Sequence, residues 1–242
     1  MTILLVDSEL FCYRAAHASQ RVIHFSYDPE DVVVDADPLE KAIDRLDRML
    51  KRLPKGKQYH YISCDVDEGW RKKLLPSYHS ARRLVKSPVH AMALKEYMIS
   101  EHGALRFPPL EGDDLLGIST DGVADVIVSY DKDLRQIEGA HYNPLTHHWS
   151  QVTQAEADHW HLMQTLTGDP TDGFKGVPGI GSAKATKVLE GLTGEDAWTA
   201  VVNCYKAHSL TEEDALLQAR VARVLRRNEF NASTYQVKYW RS

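Results

Sequence analysis

Three short apolar runs that close on an aspartate constrain this chain more than anything else in it: TILLVD (2–7), YHYISCD (59–65) and DVIVSYD (125–131). Runs of this length and composition predict buried strands of a parallel sheet, each with a carboxylate at its C-terminal edge. Between the first two lies PLEKAIDRLDRMLKRLPKG. There Leu39, Ile43, Leu46, Leu50 and Leu53 share one helical face, charges cover the other, and Pro54 and Gly56 stop the helix. Strand, helix, strand implies a right-handed crossover and an open α/β sheet. Further helices are predicted after Pro88 (closed by Gly103), after a Thr153/Glu156 capping box, and after the capping residue Thr211. The closing TYQVKYW fits a last strand or an extended tail. Core packing is the expected fate of most of Phe11, Tyr13, Trp70, Met92, Met98 and Met163, although the aromatic residues could also stack on an unpaired base.

A chain of 242 residues, 43% hydrophobic, can build one large core or a core with a small appended module. No apolar run approaches the roughly 20 residues that span a membrane, and the chain starts without a basic signal segment. Cys12, Cys64 and Cys204 are odd in number and have no C-x-x-C spacing, so a soluble protein of a reducing cytoplasm is expected.

The net charge of −5 argues at first against a nucleic-acid partner. Its distribution argues otherwise. From Arg71 to Lys86 the chain carries six basic residues and no acid, and Arg220, Arg223, Arg226 and Arg227 recur at helical spacing. Either run alone reads as a solvated helix face. The acids change the balance: Asp7; Asp65; Glu111, Asp113 and Asp114 in LEGDDLLG; Asp131 and Asp133 in SYDKDL; and Asp169 and Asp172 in GDPTDG. Without these nine charges the rest of the chain carries +4. A lone Asp after a strand is usually a helix cap or a turn. In an open parallel sheet, however, strand C-termini converge on one crevice, where close carboxylates repel and a divalent cation is the natural compensation. An all-oxygen set points to magnesium or manganese rather than zinc.

One stretch, GDPTDGFKGVPGIGSAKATKVL (168–189), resembles a nucleotide loop. Gly176 and Gly181 have the spacing of P-loop glycines, but Ser182 follows Gly181 and the first lysine, Lys184, comes too late. That order argues against an ATPase.

Five motifs, LLVD, CDVDEGWRKKLLPSYHSARR, LEGDDLLG, VIVSYDKDLRQI and LTGDPTDGFKGVPGIGSAKA, occur in the order seen in the metal-dependent 5′-nucleases, which include flap endonucleases and the 5′-nuclease domain of bacterial DNA polymerase I. Within that family, WRKKL, EADHWHLMQTLTGDPTDG and the terminal YWRS resemble the replication exonucleases of short-tailed bacteriophages. The resemblance implies an α/β, Rossmann-like (PIN-like) core with a mostly parallel sheet flanked by helices over residues 1–150, with a short clamp or arch at about 76–103. It implies a helix-hairpin-helix (helix-3-turn-helix) module at about 168–191 inside a C-terminal region, 151–242, that packs on the core.

Carried over residue by residue, Asp7, Asp65, Glu111, Asp113 and Asp114 match the first metal cluster, and Asp131, Asp133, Asp169 and Asp172 the second. Asp113, Asp114, Asp131 and Asp133 would be the main inner ligands of two Mg2+ ions, which Mn2+ could replace. Arg71 and Arg82 match residues that hold the scissile strand, with Arg83 and Lys86 beside them, and Asp7 and His79 complete the catalytic set. His79 stands where many relatives have lysine, Gly173 where they have asparagine, and Gly112 where they have alanine. Gly176, Gly179, Gly181, Ser182, Lys184 and Lys187 match the hairpin that grips duplex DNA, commonly with a potassium ion on its carbonyls. The implied activity is 5′-3′ hydrolysis of double-stranded DNA from a 5′ end, with RNA in RNA/DNA hybrids as a further substrate. Flap endonuclease action is the alternative, and a non-catalytic DNA-binding module is argued against by the complete acid set.

Overall fold

The computed structural model describes residues 2–24, 32–80, 86–122 and 124–241. In chain order they form β1 (Ile3–Asp7), α1 (Ser8–Ala18), β2 (Gln20–His24), β3 (Val32–Ala36), α2 (Leu39–Leu50), β4 (Lys57–Tyr61), α3 (Trp70–Leu74), α4 (Ala91–His102), α5 (Gly112–Ser119) and β5 (Asp125–Val128). A 3-10 turn (Asp133–Gln136), β6 (Gly139–Asn143), β7 (His148–Val152), α6 (Gln154–Thr167), α7 (Ser182–Leu189), α8 (Gly194–Ala207), α9 (Glu212–Ala222), β8 (Phe230–Asn231) and β9 (Gln236–Val237) follow. Among these helices none is long and apolar enough to cross a membrane.

The central sheet has the order β4-β1-β5-β6-β7. Its first four strands are parallel and β7 pairs antiparallel with β6. The three aspartate-closed runs therefore lie side by side as β4, β1 and β5, in the parallel arrangement expected of them. Successive side chains of a strand point to opposite faces, so β1 divides its apolar residues between two cores. Leu4 and Val6 join Ala15, Leu46, Leu94 and Met98 beneath α1, α2 and α4. Leu5 joins Leu115, Leu116, Ile127, Leu134 and Leu225 on the other side. Each such aliphatic side chain contributes about 1.5–3 kcal/mol by leaving water.

Helices α6 to α9 enclose a third core around Leu166, Val177, Leu189, Val201, Tyr205 and Ala219. The capping boxes at Thr153/Glu156 and Thr211/Asp214 open α6 and α9, and Gly103, at φ +64°, closes α4.

Several expectations are corrected. Of the segment expected as a clamp or arch at about 76–103, residues 81–85 lie outside the described residues, and its last part is α4, whose Ala91, Leu94 and Met98 lie in the core. Met92 is exposed on the opposite side of that helix. The C-terminal arginines do not form a helical face: α9 stops at Ala222, Arg223 is buried against Glu229, and Arg226 holds Asp158 and the Gln136 carbonyl. The antiparallel ribbon β2–β3, with Val22, Ile23, Val33 and Val34 exposed, is not among the elements expected above, although its β-branched runs at 22–23 and 32–34 are a strand signal.

Candidate active site

The C-terminal edge of β1 and β5 forms the floor of the site. Asp7 ends β1, is buried, and accepts a hydrogen bond from Ser129 Oγ at 3.0 Å, which ties it to the chain leaving β5. Ser129 Oγ also receives the Asp131 N–H at 2.9 Å, and Asp131 Oδ1 receives the Asp133 N–H at 2.9 Å, so the DKD turn is built stepwise from its own polar groups. Glu111 caps α5 in a capping box with Asp114, which leaves Asp113 free to face the sheet edge.

These acids perturb one another. Burial and then the charges of Asp131, Asp7, Glu111 and Asp133 push the Asp113 carboxyl well above the usual range. Burial, then Glu9 and Asp131, push Asp7 up to about 7. On the far side, Asp133, Asp169 and Asp172 bring carboxylate oxygens within 4.8 Å of one another. Burial, then Asp131 and Asp172, push Asp133 up to about 7, with Lys132 acting against them. Seven of the nine anticipated acids, from four separate stretches of chain, thus share one basin. Close carboxylates repel one another, and a cation placed among them relieves that repulsion.

The other two are elsewhere. Asp114 is 0% exposed, and Arg71 donates to both its oxygens at 2.7 Å, with Trp70 Nε1 at 2.8 Å, the Leu225 N–H at 3.0 Å and the Glu111 N–H at 3.3 Å completing its shell. No lone pair remains for a metal. Arg71, itself 3% exposed, also donates to the carbonyls of Val221 and Arg223. The expectation that Arg71 holds the scissile strand is therefore corrected: its guanidinium ties α3, α5 and the chain after α9 together. Asp65 lies past the end of β4, is two-thirds exposed and pairs with Arg106 at 2.7 Å.

His79 is buried rather than on a helix surface. Its Nε2 lies 3.2 Å from Asp172 Oδ1, its N–H donates to the Asp172 carbonyl at 2.7 Å, and its ring stacks on Tyr78. Tyr78 in turn donates to Glu111 at 3.1 Å, so Tyr78 and His79 bridge the two acid groups. Arg82 and Arg83 lie outside the described residues, and Lys86 is exposed.

Sequence reasoning missed several partners. Lys132 donates to Asp169 at 2.9 Å, a contact legible only as the lysine inside DKD. Gln164 donates to Asp133 at 2.7 Å and accepts from Gln136 at 2.6 Å, while Gln136 holds the Ala222 carbonyl and the Val224 N–H. Lys95 of α4 pairs with Glu9, next to Asp7. Nothing in the local sequence announces these three glutamine and lysine roles.

Beside Asp172 the backbone turns through Gly173 to Gly181. Gly168 and Gly176 have φ of +66° and +60°, and a Cβ on either would lie 2.3 Å from the backbone of the other strand of the turn. Only paired glycines permit this crossing. It sets the turn at 176–181 directly between the second acid group and α7. No side chain caps α7, and the Lys184 and Ala185 N–H groups donate to the Gly181 carbonyl at 3.0 Å; Lys187 is exposed, and Lys184 folds back onto the Gly179 carbonyl at 2.9 Å.

No family model matches the chain. It is similar to the exonuclease of Escherichia phage T7, at 30% identity with 71% of this chain and 70% of that protein covered. It is also similar to the exodeoxyribonuclease of Enterobacteria phage T3, at 29% identity with 71% and 69% covered, and to the flap endonuclease Xni of Shewanella oneidensis, at 27% identity with 53% and 56% covered. Among solved structures the fold is shared with the T5 D15 protein co-crystallised with metal ions, with a TM-score of 0.58, 13% identity and 92% of this chain and 89% of that one covered. The catalytic core of Rad2 in complex with DNA substrate has a TM-score of 0.53 at 13% identity, with 86% and 64% covered.

Proposed function

The chain belongs to the 5′-nuclease family, and we propose that it acts as a metal-dependent 5′-3′ exonuclease that hydrolyses phosphodiester bonds from the 5′ end of double-stranded DNA. The observation that carries this reading is the basin of seven carboxylates with an all-oxygen donor set. Such donors suit Mg2+ or Mn2+. Asp133, Asp169 and Asp172 would hold one ion, and Asp113 with Asp7, Glu111 and Asp131 the other. Bound there, the ions lower the pKa of a coordinated water and neutralise charge on the phosphoryl group.

The chain's own residues position and complement that chemistry. Ser129, Gln164 and Lys132 orient Asp7, Asp133 and Asp169 through the hydrogen bonds described above, the kind of support that sets ligand geometry. His79, between Asp172 and Glu111, stands at the position of the family lysine. Protonated, it would add a cation beside the scissile phosphate, with Arg82, Arg83 and Lys86 supplying the permanent charges. The uncapped N-terminus of α7 and the turn at 176–181 would hold a phosphate of the duplex, with Lys187 further along the backbone. A potassium ion on the turn carbonyls would compete with Lys184 for Gly179.

A labelled blunt duplex, a flapped duplex and an RNA/DNA hybrid, each incubated with Mg2+ and with chelator, test the proposal. Chelator-sensitive release of mononucleotides from the blunt 5′ end is expected, and Asp131→Asn should abolish cleavage while sparing duplex binding. An active D131N variant would overturn the site. The similarity to a flap endonuclease supports a second reading, which flap-length fragments without mononucleotides would favour.

A further inference from the structure

The first turn of α1 carries two polar side chains that reach the strand beside it. Ser8 Oγ lies 2.9 Å from His60 Nδ1, and Glu9 Oε2 accepts the Ser63 N–H at 3.1 Å. The second contact follows from strand geometry, in which every second N–H faces the same neighbouring strand. Lys57, paired with Ile3, donates to the Thr2 carbonyl of the β1 side at 2.9 Å, and the pairing runs on to Tyr61 and Asp7. Ser63, two residues past Tyr61, presents its N–H to that same side, but β1 has ended and the chain has turned into α1. A carboxylate oxygen of Glu9 takes the donor that the next strand carbonyl would have taken. Ile62 and Cys64, whose N–H groups face the other way, donate to the Leu105 and Leu110 carbonyls at 3.0 and 3.1 Å. Glu9 thereby continues the sheet by one hydrogen bond beyond its last strand pair.

Ser63 relays this contact to the acids of the basin. Its Oγ accepts the N–H of Gly112, the first residue of α5, at 3.0 Å. A Cβ on Gly112 would lie 3.4 Å from Ser63 Oγ and 3.5 Å from Ser63 N, so the first turn of α5 seats directly on Ser63. Glu111 precedes that glycine and Asp113 follows it. On the other side of Glu9, Lys95 of α4 donates to Oε1 and lies over the Tyr13 ring, 5.1 Å from its centre. The Glu9 and Lys95 side chains are only 21% and 17% exposed, so the pair is held in the packed edge of the sheet. The Lys95 ammonium also offsets a charge that adds to the repulsion at Asp7.

We propose that Glu9 is a positioning residue for the first metal group: through Ser63 it fixes the spacing between Asp7, at the end of β1, and Glu111 and Asp113, at the start of α5, while Lys95 holds it in place and cancels its charge. The role rests on the metal-dependent nuclease reading above. Without the Glu9 acceptor the chain after β4 loses its tie to α1, and α5 with its two acids is no longer set against Asp7.

Isothermal titration of the full chain with Mg2+ measures this without turnover. The binding event that Asp113→Asn removes reports the first metal group, and the event that Asp169→Asn removes reports the second. Removing Glu9 alone would also change the charge near the ion, so two double variants of equal charge are compared. Glu9→Gln with Lys95→Met keeps an oxygen acceptor for the Ser63 N–H, and Glu9→Ala with Lys95→Met does not. The first should bind Mg2+ at the Asp113-dependent event close to wild type and the second about 10- to 100-fold more weakly, with the Asp169-dependent event unchanged in both. Ser63→Ala, which removes only the acceptor for Gly112, should show the same selective loss. All titrations are run well below the Tm of each variant, so that lower stability by itself moves neither event. Equal affinities of the two double variants, an equal loss at both events, or an unaffected Ser63→Ala variant would overturn the positioning role and leave the nuclease reading in place. A wild type without an Asp113-dependent event would overturn the metal site itself, and the role of Glu9 with it.

Discussion

Asp113 and Asp114 are adjacent acids in one motif, and replacing each by asparagine should move stability in opposite directions. Asp114 Oδ2 accepts from Arg71 Nη1, Trp70 Nε1 and the Glu111 N–H, and Oδ1 from Arg71 Nη2 and the Leu225 N–H. Whichever way an amide is set, its NH2 group faces at least two of these donors, and among the described residues the buried Arg71 keeps only Glu111, at 3.4 Å, as a carboxylate partner. Breaking a buried pair in this way costs about 3–5 kcal/mol. In a chain of this size about 1 kcal/mol lowers Tm by about 2–4 °C, so Asp114→Asn should melt about 6–20 °C below the wild type.

Asp113→Asn removes one charge from a group of mutually repelling acids. It should raise the Tm of the metal-free protein, since each unit of upward pKa shift relieved is worth about 1.4 kcal/mol. Thermal melts of both variants in chelator, followed by Mg2+ titration below the lower Tm, provide the assay. Asp113→Asn should lose metal-induced stabilisation, whereas Asp114→Asn should retain most of it. An Asp114→Asn variant that melts with the wild type and has lost its response to Mg2+ would refute the structural role of Asp114 and restore it as a metal ligand.

Other outcomes follow from the same structure. Asp7, raised from 3.8 to about 7, binds a proton in the metal-free fold that the unfolded chain has released, so its favourable contribution is present below about pH 4 and is lost as pH rises through 7. The Tm of Asp7→Asn minus that of wild type in chelator should therefore climb between pH 4 and 8, toward a ceiling of about 4 kcal/mol, and saturating Mg2+ should cancel the climb. Gln164→Leu keeps the volume but removes the hydrogen bond to Asp133. Isothermal titration should show Mg2+ affinity reduced about 10- to 100-fold, and unchanged affinity would remove Gln164 from the ligand support. Gly176→Ala places a Cβ against the backbone at residues 166 to 168 at a positive φ, and urea denaturation should show a loss of about 3 kcal/mol or more.

The sequence by itself determined the architecture and the chemistry class. Short apolar runs closed by Asp7 and by the aspartates after β4 and β5 specify a parallel sheet, because strand period and burial are written in local composition. The ordered acid motifs indicated a divalent-metal site, and the fold brings Asp133, Asp169 and Asp172 within 4.8 Å of one another, with Asp7, Glu111 and Asp131 acting on Asp113. The tertiary structure alone decided which charge answers which. Asp113 and Asp114 differ by one step of about 100° around α5, which turns one into the acid basin and the other into the interior. Arg71 leaves a basic run because its partners stand 43 and 150 residues away in the chain. Burial makes an unpaired charge costly, so a buried arginine or aspartate takes the partner that packing brings to it, and no local pattern records that choice.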